Sequence, residues 1–254
     1  MKLIAPRTTK SSEIDYFRKL MPIVSLINSE FNAIVMPVVS QKSVQKQIVD
    51  ASALDKITQA FKDFNAEINR RITNENILKI GSDVVIKSVR TNKAIWKTKT
   101  KTLGIDIRGK ETFYGEQDYI KSRIKTNTSL IKNLSSQYVE ELGIDLFNAY
   151  EQGKSSKSLA KDVQERYGIT ARRAKLIARN EVKNTNSQMN LKQAAELGFD
   201  EGVWMTVIDG RERELHKQHD NKKFKIGVGL SDGNGGKEEP GDAINCRCTF
   251  FIDV

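Results

Sequence analysis

WMTVIDGRERELHKQHDNKKF (residues 204–224) and EEPGDAINCRCTFF (residues 238–251) are the two segments that decide the fold of this chain, and a glycine-rich loop joins them. The chain has 254 residues but only two histidines and two cysteines. All four lie in these segments, as His216, His219, Cys246 and Cys248. Rare, chemically versatile side chains are therefore concentrated in one place.

The spacing of these four side chains permits them to meet. If residues 211–219 form a short helix, the two histidines at positions i and i+3 share one face. If residues 245–250 form a strand, the two cysteines point to the same side. Zinc favours a tetrahedral set of thiolate and imidazole ligands, and four protein ligands make a structural site. The hypothesis is a zinc site at His216, His219, Cys246 and Cys248.

The same cysteines also have a plainer interpretation. One intervening residue is not the usual Cys-x-x-Cys zinc spacing, and free cysteines are often small buried hydrophobic residues. A disulfide between Cys246 and Cys248 is disfavoured, because an extended backbone holds their Cα atoms near the limit of bridging geometry. Zinc binding and simple burial both stay open at this point.

The C-terminal residues predict a small α+β unit over residues 199–254. Residues 203–208 alternate like a strand, and residues 248–252 are the natural second strand. Residues 227–236 are rich in glycine and predict a surface loop.

Upstream of this unit the pattern is helical. Residues 1–12 predict a poorly ordered arm, and a helix follows that Pro22 kinks or restarts and that Pro37 ends. Between residues 43 and 80, apolar side chains recur every three or four positions, which predicts an amphipathic helix or an antiparallel pair. These positions are Val44, Ile48, Ala51, Leu54, Ile57, Phe61, Phe64, Ile68, Ile72 and Leu78.

A glycine-containing loop over residues 103–115, with Gly104, Gly109 and Gly115, predicts a domain boundary. The sequence therefore predicts a mainly α-helical, basic N-terminal domain over residues 1–115. The second domain, residues 116–254, has helices over 116–198 followed by the α+β unit. Within these helices we predict that Ser158 caps residues 159–167 and that Thr170 caps residues 171–197.

The net charge of +10 is distributed unevenly. Residues 1–199 contain 34 basic and 21 acidic side chains, whereas residues 200–254 contain 8 basic and 11 acidic ones. A basic surface of this kind favours nucleic acid or an acidic protein face as a partner, although a solvated surface has the same composition.

The most basic run lies between residues 87 and 101, which contain six cations and no acid. Closely spaced cations bind phosphates, with an affinity that falls as salt rises. Trp96 could stack on a base, but a tryptophan at an apolar position is more often a core anchor. A solvated helix edge is the alternative. The candidate contacts to double-stranded DNA are Lys87, Arg90, Lys93, Lys97, Lys99 and Lys101.

An ordered set of residues carries a resemblance to a known family. Upstream stands Ile177-Ala178-Arg179-Asn180-Glu181, which we call the signature helix, and the C-terminal markers follow it. The set resembles the MuF-like domain of phage head morphogenesis (minor head) proteins over about residues 125–254. Two positions depart from the family pattern, since Asn180 replaces a threonine and Asn221 a glycine. The markers are Asp209, Arg213, His216, Asp220, Pro240, Gly241 and Asn245-Cys246-Arg247-Cys248.

The resemblance implies a structural role in head assembly. Proteins of this kind are incorporated at the portal during prohead assembly, and some bind DNA. The implied partners are the portal protein, the major capsid or scaffolding protein and double-stranded DNA. The implied location is the virion, inside the head near the portal, and the host cytoplasm during assembly.

Catalysis has little support in the sequence. We find no HExxH, Gly-x-Ser-x-Gly, P-loop or Rossmann fingerprint, so we expect neither an enzyme nor a small-molecule substrate. Two alternatives stay open, a zinc-stabilised DNA-binding protein outside a virion and a metal-dependent nuclease. We also find no signal peptide or apolar run that spans a bilayer, and expect an intracellular protein without a membrane partner.

The polar markers are interpreted as a cluster that holds the fold together. Asp209 would accept from the backbone or Arg213, His216 would donate to a carboxylate, and Arg247 would bridge to an acid. Glu181 would bind a distant cation, Arg211 or Arg213. The predicted cluster is Asp209, Arg213, His216, Asp220 and Arg247.

Overall fold

The computed structural model describes residues 1–41, 51–107 and 112–254. The helices are α1 (Lys10–Glu30), α2 (Met36–Val39), α3 (Ala51–Arg71), α4 (Asn74–Thr102), α5 (Glu116–Glu151), α6 (Ser156–Glu196) and α7 (Glu214–His219). A π-helical segment, Phe31–Val35, joins α1 to α2. The strands are β1 (Lys2–Ile4), β2 (Glu201–Met205), β3 (Lys223–Lys225), β4 (Leu230–Ser231), β5 (Lys237–Glu238) and β6 (Thr249–Asp253). The predicted class, mainly α-helical with a small α+β C-terminal domain, is confirmed.

The apolar repeat predicted over residues 43–80 belongs to two helices. Helix α3 ends at Arg71, and the hydroxyl of Thr73 accepts a hydrogen bond from the backbone N–H of Asn76 at 3.2 Å, which caps the start of α4. Helix α4 then continues through the whole basic run to Thr102. Val44 and Ile48 of the repeat, and Gly109 of the predicted boundary loop, lie outside the described residues.

Two predicted helix breaks are absent from the described structure. Helix α6 is continuous over 41 residues, where we predicted two helices. Thr170 does not cap a helix, because its hydroxyl donates to the carbonyl of Arg166 at 2.9 Å inside α6. Helix α1 likewise continues past Pro22, which lies on its exposed side.

The main sheet is antiparallel, with the strand order β1-β6-β2-β3. Trp204 on β2 lies opposite Phe250 on β6. Their side chains share a core with Trp96 of α4 and Leu191 and Ala194 of α6. A sheet with one apolar face needs such a cover, and α4 and α6 supply it. Strands β4 and β5 form a separate two-stranded ladder.

The prediction of a disordered N-terminal arm is wrong. Residues 2–4 form strand β1, and Leu3 pairs with Ile252 of β6. The N-terminal ammonium donates to the carbonyl of Val254 at 2.7 Å. Leu3 and Ala5 are buried in the core of the sheet, so their apolar surface keeps the arm ordered.

The chain forms two compact units, and neither is continuous in sequence. The first consists of Met1–Tyr16, Ser82–Thr126 and Ala178–Val254, and the second of Phe17–Gly81 and Asn127–Ile177. This division differs from the predicted boundary after residue 115. The reason is that β1 and the end of α4 pack with the sheet, so N-terminal and C-terminal residues share one core.

The second unit is helical and has an aromatic core. Phe31 meets Phe64 edge to face at 5.4 Å between ring centroids, and Phe61 meets Phe147 at 5.8 Å. Gly143 of α5 lies under Phe61, where an added Cβ would stand 2.6 Å from the ring. The ring therefore requires glycine at this position.

One stretch within the described residues, Lys10–Val39, is long and apolar enough to cross a membrane by length and composition. The expectation that no such run exists is wrong in this respect. One side of this helical stretch is buried, through Leu20, Ile27, Phe31 and Val35. This pattern is typical of a helix that packs into a protein core, and such a helix meets the same criteria of length and composition.

Candidate functional site

Strand pairing and a short helix bring the rare side chains together. Strand β2 leads through a turn to α7, and the chain returns beside β2, where the backbone N–H of Asn221 donates to the carbonyl of Trp204 at 2.9 Å. Asn221 has φ 61°, a left-handed conformation that asparagine tolerates better than most residues. This conformation explains how asparagine replaces the glycine of the family pattern.

His216 is the centre of the candidate site. Its Nδ1 atom lies 3.5 Å from Sγ of Cys246 and 3.4 Å from Sγ of Cys248. Its other ring nitrogen, Nε2, lies 2.8 Å from Oε1 of Glu238. His216 is 3% exposed, Cys246 is 5% exposed and Cys248 is partly buried, so the three candidate ligand atoms are largely shielded from bulk solvent.

His219 does not join this group. Its Nε2 lies 2.9 Å from the carbonyl of Ser231, and its Nδ1 is buried and has no hydrogen-bond partner within the described ranges. The rings of the two histidines are 6.4 Å apart, and Trp204 contacts both of them. Of the four predicted ligands, the structure therefore brings three together.

The cysteines meet by a route other than the predicted strand. Strand β6 begins at Thr249, so both cysteines lie in the loop before it, which we call the cysteine loop (residues 241–248). The backbone N–H of Cys248 donates to Sγ of Cys246 at 3.4 Å, and this local turn places both sulfurs beside His216. Both cysteines are free thiols.

The two thiols influence each other's ionisation. The hydrogen bond between them lowers the pKa of Cys248 to about 5. The same contact, together with burial, raises the pKa of Cys246. The two pKa shifts have opposite directions, so Cys248 is the thiol that ionises more readily beside His216.

The signature helix holds the cysteine loop in place. Asn180 accepts a hydrogen bond from the backbone N–H of Asn245 at 3.0 Å, and Arg179 donates to the Asn245 side-chain oxygen. Two turns further along α6, Ser187 donates to the carbonyl of Pro240. Gly241 has φ 97°, and an added Cβ there would overlap Ser187. The upstream and downstream family markers thus form one connected framework, which sequence spacing could not reveal.

Glu181 of the signature helix binds Arg123 of α5, whereas we predicted Arg211 or Arg213. The side chain of Glu181 is 8% exposed and that of Arg123 is 15% exposed. The sequence contains no spacing signal for this pair, because 58 residues separate its members.

The predicted polar cluster divides into separate contacts. Both terminal guanidinium nitrogens of Arg247 bind Asp209, which Arg211 also contacts at 2.7 Å. These bonds, first from Arg247 and then from Arg211, hold the pKa of Asp209 well below its usual range. Arg213 instead donates to the carbonyl of Ile244 at 2.8 Å.

Asp220, the remaining member of the predicted cluster, has a backbone role. Its carboxylate accepts from the backbone N–H of Thr206 at 2.7 Å. The Thr206 hydroxyl in turn donates to the carbonyl of His216 at 2.6 Å. These bonds fix α7 against the end of β2 and thereby position His216.

The basic run lies on α4, and its side chains serve different purposes. Trp96 is 1% exposed and donates from Nε1 to Asn190 at 2.8 Å, so it is a core residue. Lys87 binds Asp15 at 2.5 Å, Lys93 binds Glu116 at 3.0 Å, and Lys99 donates to the carbonyl of Ile4 at 2.7 Å.

Four of the six candidate DNA contacts are exposed, and three of these, all except Lys87, lie on one side of α4 without an ion pair among the described residues. Arg90, Lys97 and Lys101 are seven and four residues apart, a spacing that puts them on one helix face. None of the three makes an ion pair with the residues that the structure describes. We call Arg90, Lys97 and Lys101 the basic row.

Comparison with known proteins adds two findings. The family described as Phage Mu protein F like protein matches residues 140–251, which contain the signature helix, His216 and both cysteines. An uncharacterized protein of Haemophilus influenzae is 25% identical over 251 residues, which cover 95% of this chain and 53% of the relative. The chain thus spans about half the length of that relative. No solved structure matches the chain.

Proposed function

From the premise that residues 140–251 form a MuF-like domain of the phage head protein family, we propose that this protein is a minor head component, incorporated at the portal during prohead assembly. The observation that carries the proposal is the family match. The framework around the cysteine loop supports it, because the family markers hold one another in place.

The contacts in the site favour a structural role over catalysis. The carboxylate of Asp209 is engaged by Arg247 and Arg211, and that of Glu212 accepts from the backbone N–H groups of Asp209 and Gly210. Glu238 is engaged by His216. A general acid or base needs a carboxylate that can exchange protons with a substrate, whereas these three hold the fold. We therefore propose that these three carboxylates have a structural role and do not act as general acids or bases.

The portal proposal is tested by following the tagged protein during phage assembly. Proheads are separated from soluble protein by gradient sedimentation, after cross-linking in cells that produce the phage. We expect the protein to sediment with proheads and to cross-link to the portal protein. In a phage that lacks the portal gene, we expect it to be lost from the prohead fraction. If proheads without a portal retained the protein, incorporation at the portal would be contradicted. If the protein were absent from proheads of the wild-type phage as well, the proposal that it is a head component would be contradicted.

We further propose that the basic row contacts packaged double-stranded DNA. The supporting observation is the exposure of Arg90, Lys97 and Lys101 on one helix face, without an ion pair among the described residues. Lys87, Lys93 and Lys99 are engaged within the protein. The proposed phosphate contact therefore involves the three exposed cations that make no ion pair with the described residues, a smaller set than the six in the sequence.

We expect the triple variant Arg90→Gln, Lys97→Gln, Lys101→Gln to bind DNA more weakly and with a flatter salt dependence. Each phosphate contact contributes about 0.9 to the slope of log affinity against log salt, so the slope should fall by about 2 to 3. The measurement is fluorescence anisotropy of a labelled duplex at several salt concentrations.

The matched control for this experiment is Lys217→Gln, Lys222→Gln, Lys225→Gln. These lysines are exposed in the acidic C-terminal region, and replacing them removes the same formal charge as the triple variant of the basic row. We expect the control to keep the salt slope of the wild type. Equal slopes for the two triple variants would show that net charge, and not the basic row, governs DNA binding.

A further inference from the structure

We propose that Nδ1 of His216 and the two sulfurs of Cys246 and Cys248 bind one zinc ion, with the fourth coordination position open to the adjoining cavity. The three ligand atoms lie within 4.8 Å of one another. This inference does not depend on the portal or DNA proposal, because it rests on the distances among His216, Cys246, Cys248 and Glu238.

The distances match those around a tetrahedral zinc ion. With zinc–sulfur bonds of about 2.3 Å and zinc–nitrogen bonds of about 2.0 Å, neighbouring nitrogen and sulfur ligands stand about 3.5 Å apart. Nδ1 of His216 lies 3.5 Å from one sulfur and 3.4 Å from the other. One ring nitrogen can form a linear hydrogen bond with only one sulfur, whereas a single metal ion satisfies all three atoms.

Glu238 prepares His216 for this role. With its carboxylate 2.8 Å from Nε2, the favoured neutral tautomer carries the ring proton on Nε2 and donates it to Glu238. The lone pair of Nδ1 then points at the two sulfurs. A carboxylate behind a metal-binding histidine is the usual outer contact of zinc sites, and it orients the ring and strengthens the ligand.

The chemistry of the ligand set selects the metal. Two thiolates and one imidazole favour zinc over calcium or magnesium, which prefer oxygen ligands. Cys246 is buried and Cys248 is partly buried, and a doubly positive ion neutralises the two negative charges that their thiolates carry. The ligands are also held before a metal arrives, since the signature helix anchors Asn245 beside Cys246, and Thr206 anchors the backbone of His216.

The three ligands line a cavity of about 190 Å³, to which we assign the fourth position. His219 cannot occupy that position in this arrangement, because its Nε2 contacts Ser231 and its ring is stacked 6.4 Å away. Arg211, Arg213 and Arg247 line the same cavity as the three ligands. Three protein ligands with an open position leave room for water or a small anion, so we assign water to the fourth position.

The first test measures metal in the full chain. Protein purified without chelator is expected to hold one zinc per chain by elemental analysis. Replacement by cobalt is expected to produce thiolate-to-cobalt charge-transfer absorption and tetrahedral ligand-field bands. Added thiocyanate should shift those bands by replacing the water. Absence of zinc, together with absence of cobalt absorption in the folded wild type, would overturn the proposal. Bands that thiocyanate leaves unchanged would overturn the open fourth position.

The second test assigns the ligands with variants. We expect Cys246→Ser, Cys248→Ser and His216→Ala each to lose stoichiometric metal, and Glu238→Gln to bind it about 10 to 100 times more weakly. The matched control is His219→Gln, an equally buried position on the same helix, which should keep one metal with unchanged cobalt bands. Loss of metal in His219→Gln, with the circular dichroism of the wild type retained, would overturn the three-ligand assignment.

Discussion

Replacing Trp204 by alanine is expected to lower the free energy of unfolding by about 3–5 kcal/mol. Trp204 is 0% exposed and lies on an inner strand of the main sheet. Its ring contacts His216 at 5.6 Å, His219 at 5.0 Å and Phe224 at 6.1 Å between centroids. Truncation removes contacts to three rings, and the rigid strand pairing prevents the neighbours from filling the cavity.

Urea denaturation followed by far-ultraviolet circular dichroism measures this effect. Trp204→Phe retains an aromatic ring and should cost less than the alanine variant. The matched control is Ile208→Ala, which truncates a side chain that follows the same strand but is 60% exposed, and it should change stability by less than about 0.5 kcal/mol. A cost for Trp204→Ala as small as that of the control would show that the sheet core is not where the stability of this unit resides.

Glu181→Gln is expected to lower the free energy of unfolding by about 3 kcal/mol, the lower end of the range for a broken buried ion pair. We choose the lower end because the Arg123 side chain keeps 15% of its exposure. The substitution removes the negative charge that faces the Arg123 guanidinium. Tyr16 lies close by, and burial, followed by the nearby charge of Glu181, raises the pKa of its hydroxyl, as expected of an apolar setting that makes unpaired charge costly.

A double variant tests the pair apart from its surroundings. The double variant Arg123→Met, Glu181→Met removes both charges and should recover part of the stability lost in Glu181→Gln. The matched control is Asp118→Asn, which breaks the Asp118–Lys121 pair on the same helix. Both members of that pair are exposed, at 86% and 75%, so the change should stay below about 0.5 kcal/mol. Equal effects of Glu181→Gln and Asp118→Asn would contradict a structural role for this ion pair.

These two predictions concern the supports of the candidate site. Trp204 packs against His216, and Glu181 follows the two residues of the signature helix that bind Asn245. We therefore expect Trp204→Ala and Glu181→Gln to weaken metal binding indirectly. The cysteine variants remove metal ligands directly. We therefore expect excess zinc to restore metal binding in Trp204→Ala and Glu181→Gln, but not in the cysteine variants.

The sequence by itself determined the features that depend on neighbouring residues. Apolar spacing of three or four predicted the helices, and alternation predicted β2 and β6, because such periods follow from the geometry of one element. Charge counts predicted the basic N-terminal part. The ordered markers from Ile177 to Cys248 were enough to predict the match of residues 140–251 to the family described as Phage Mu protein F like protein, since each marker is read from chain order alone.

Tertiary structure decided which of these residues meet. Both histidines lie on α7, but only His216 directs a ring nitrogen at the cysteine loop, whereas His219 contacts the carbonyl of Ser231. The spacing of the two histidines in the sequence could not distinguish them. Tertiary structure also supplied Glu238, joined Arg123 to Glu181, placed Trp96 in the sheet core and added β1 beside β6. Each of these contacts joins residues far apart in the chain. They form only when the whole core packs, so a local sequence pattern cannot predict them.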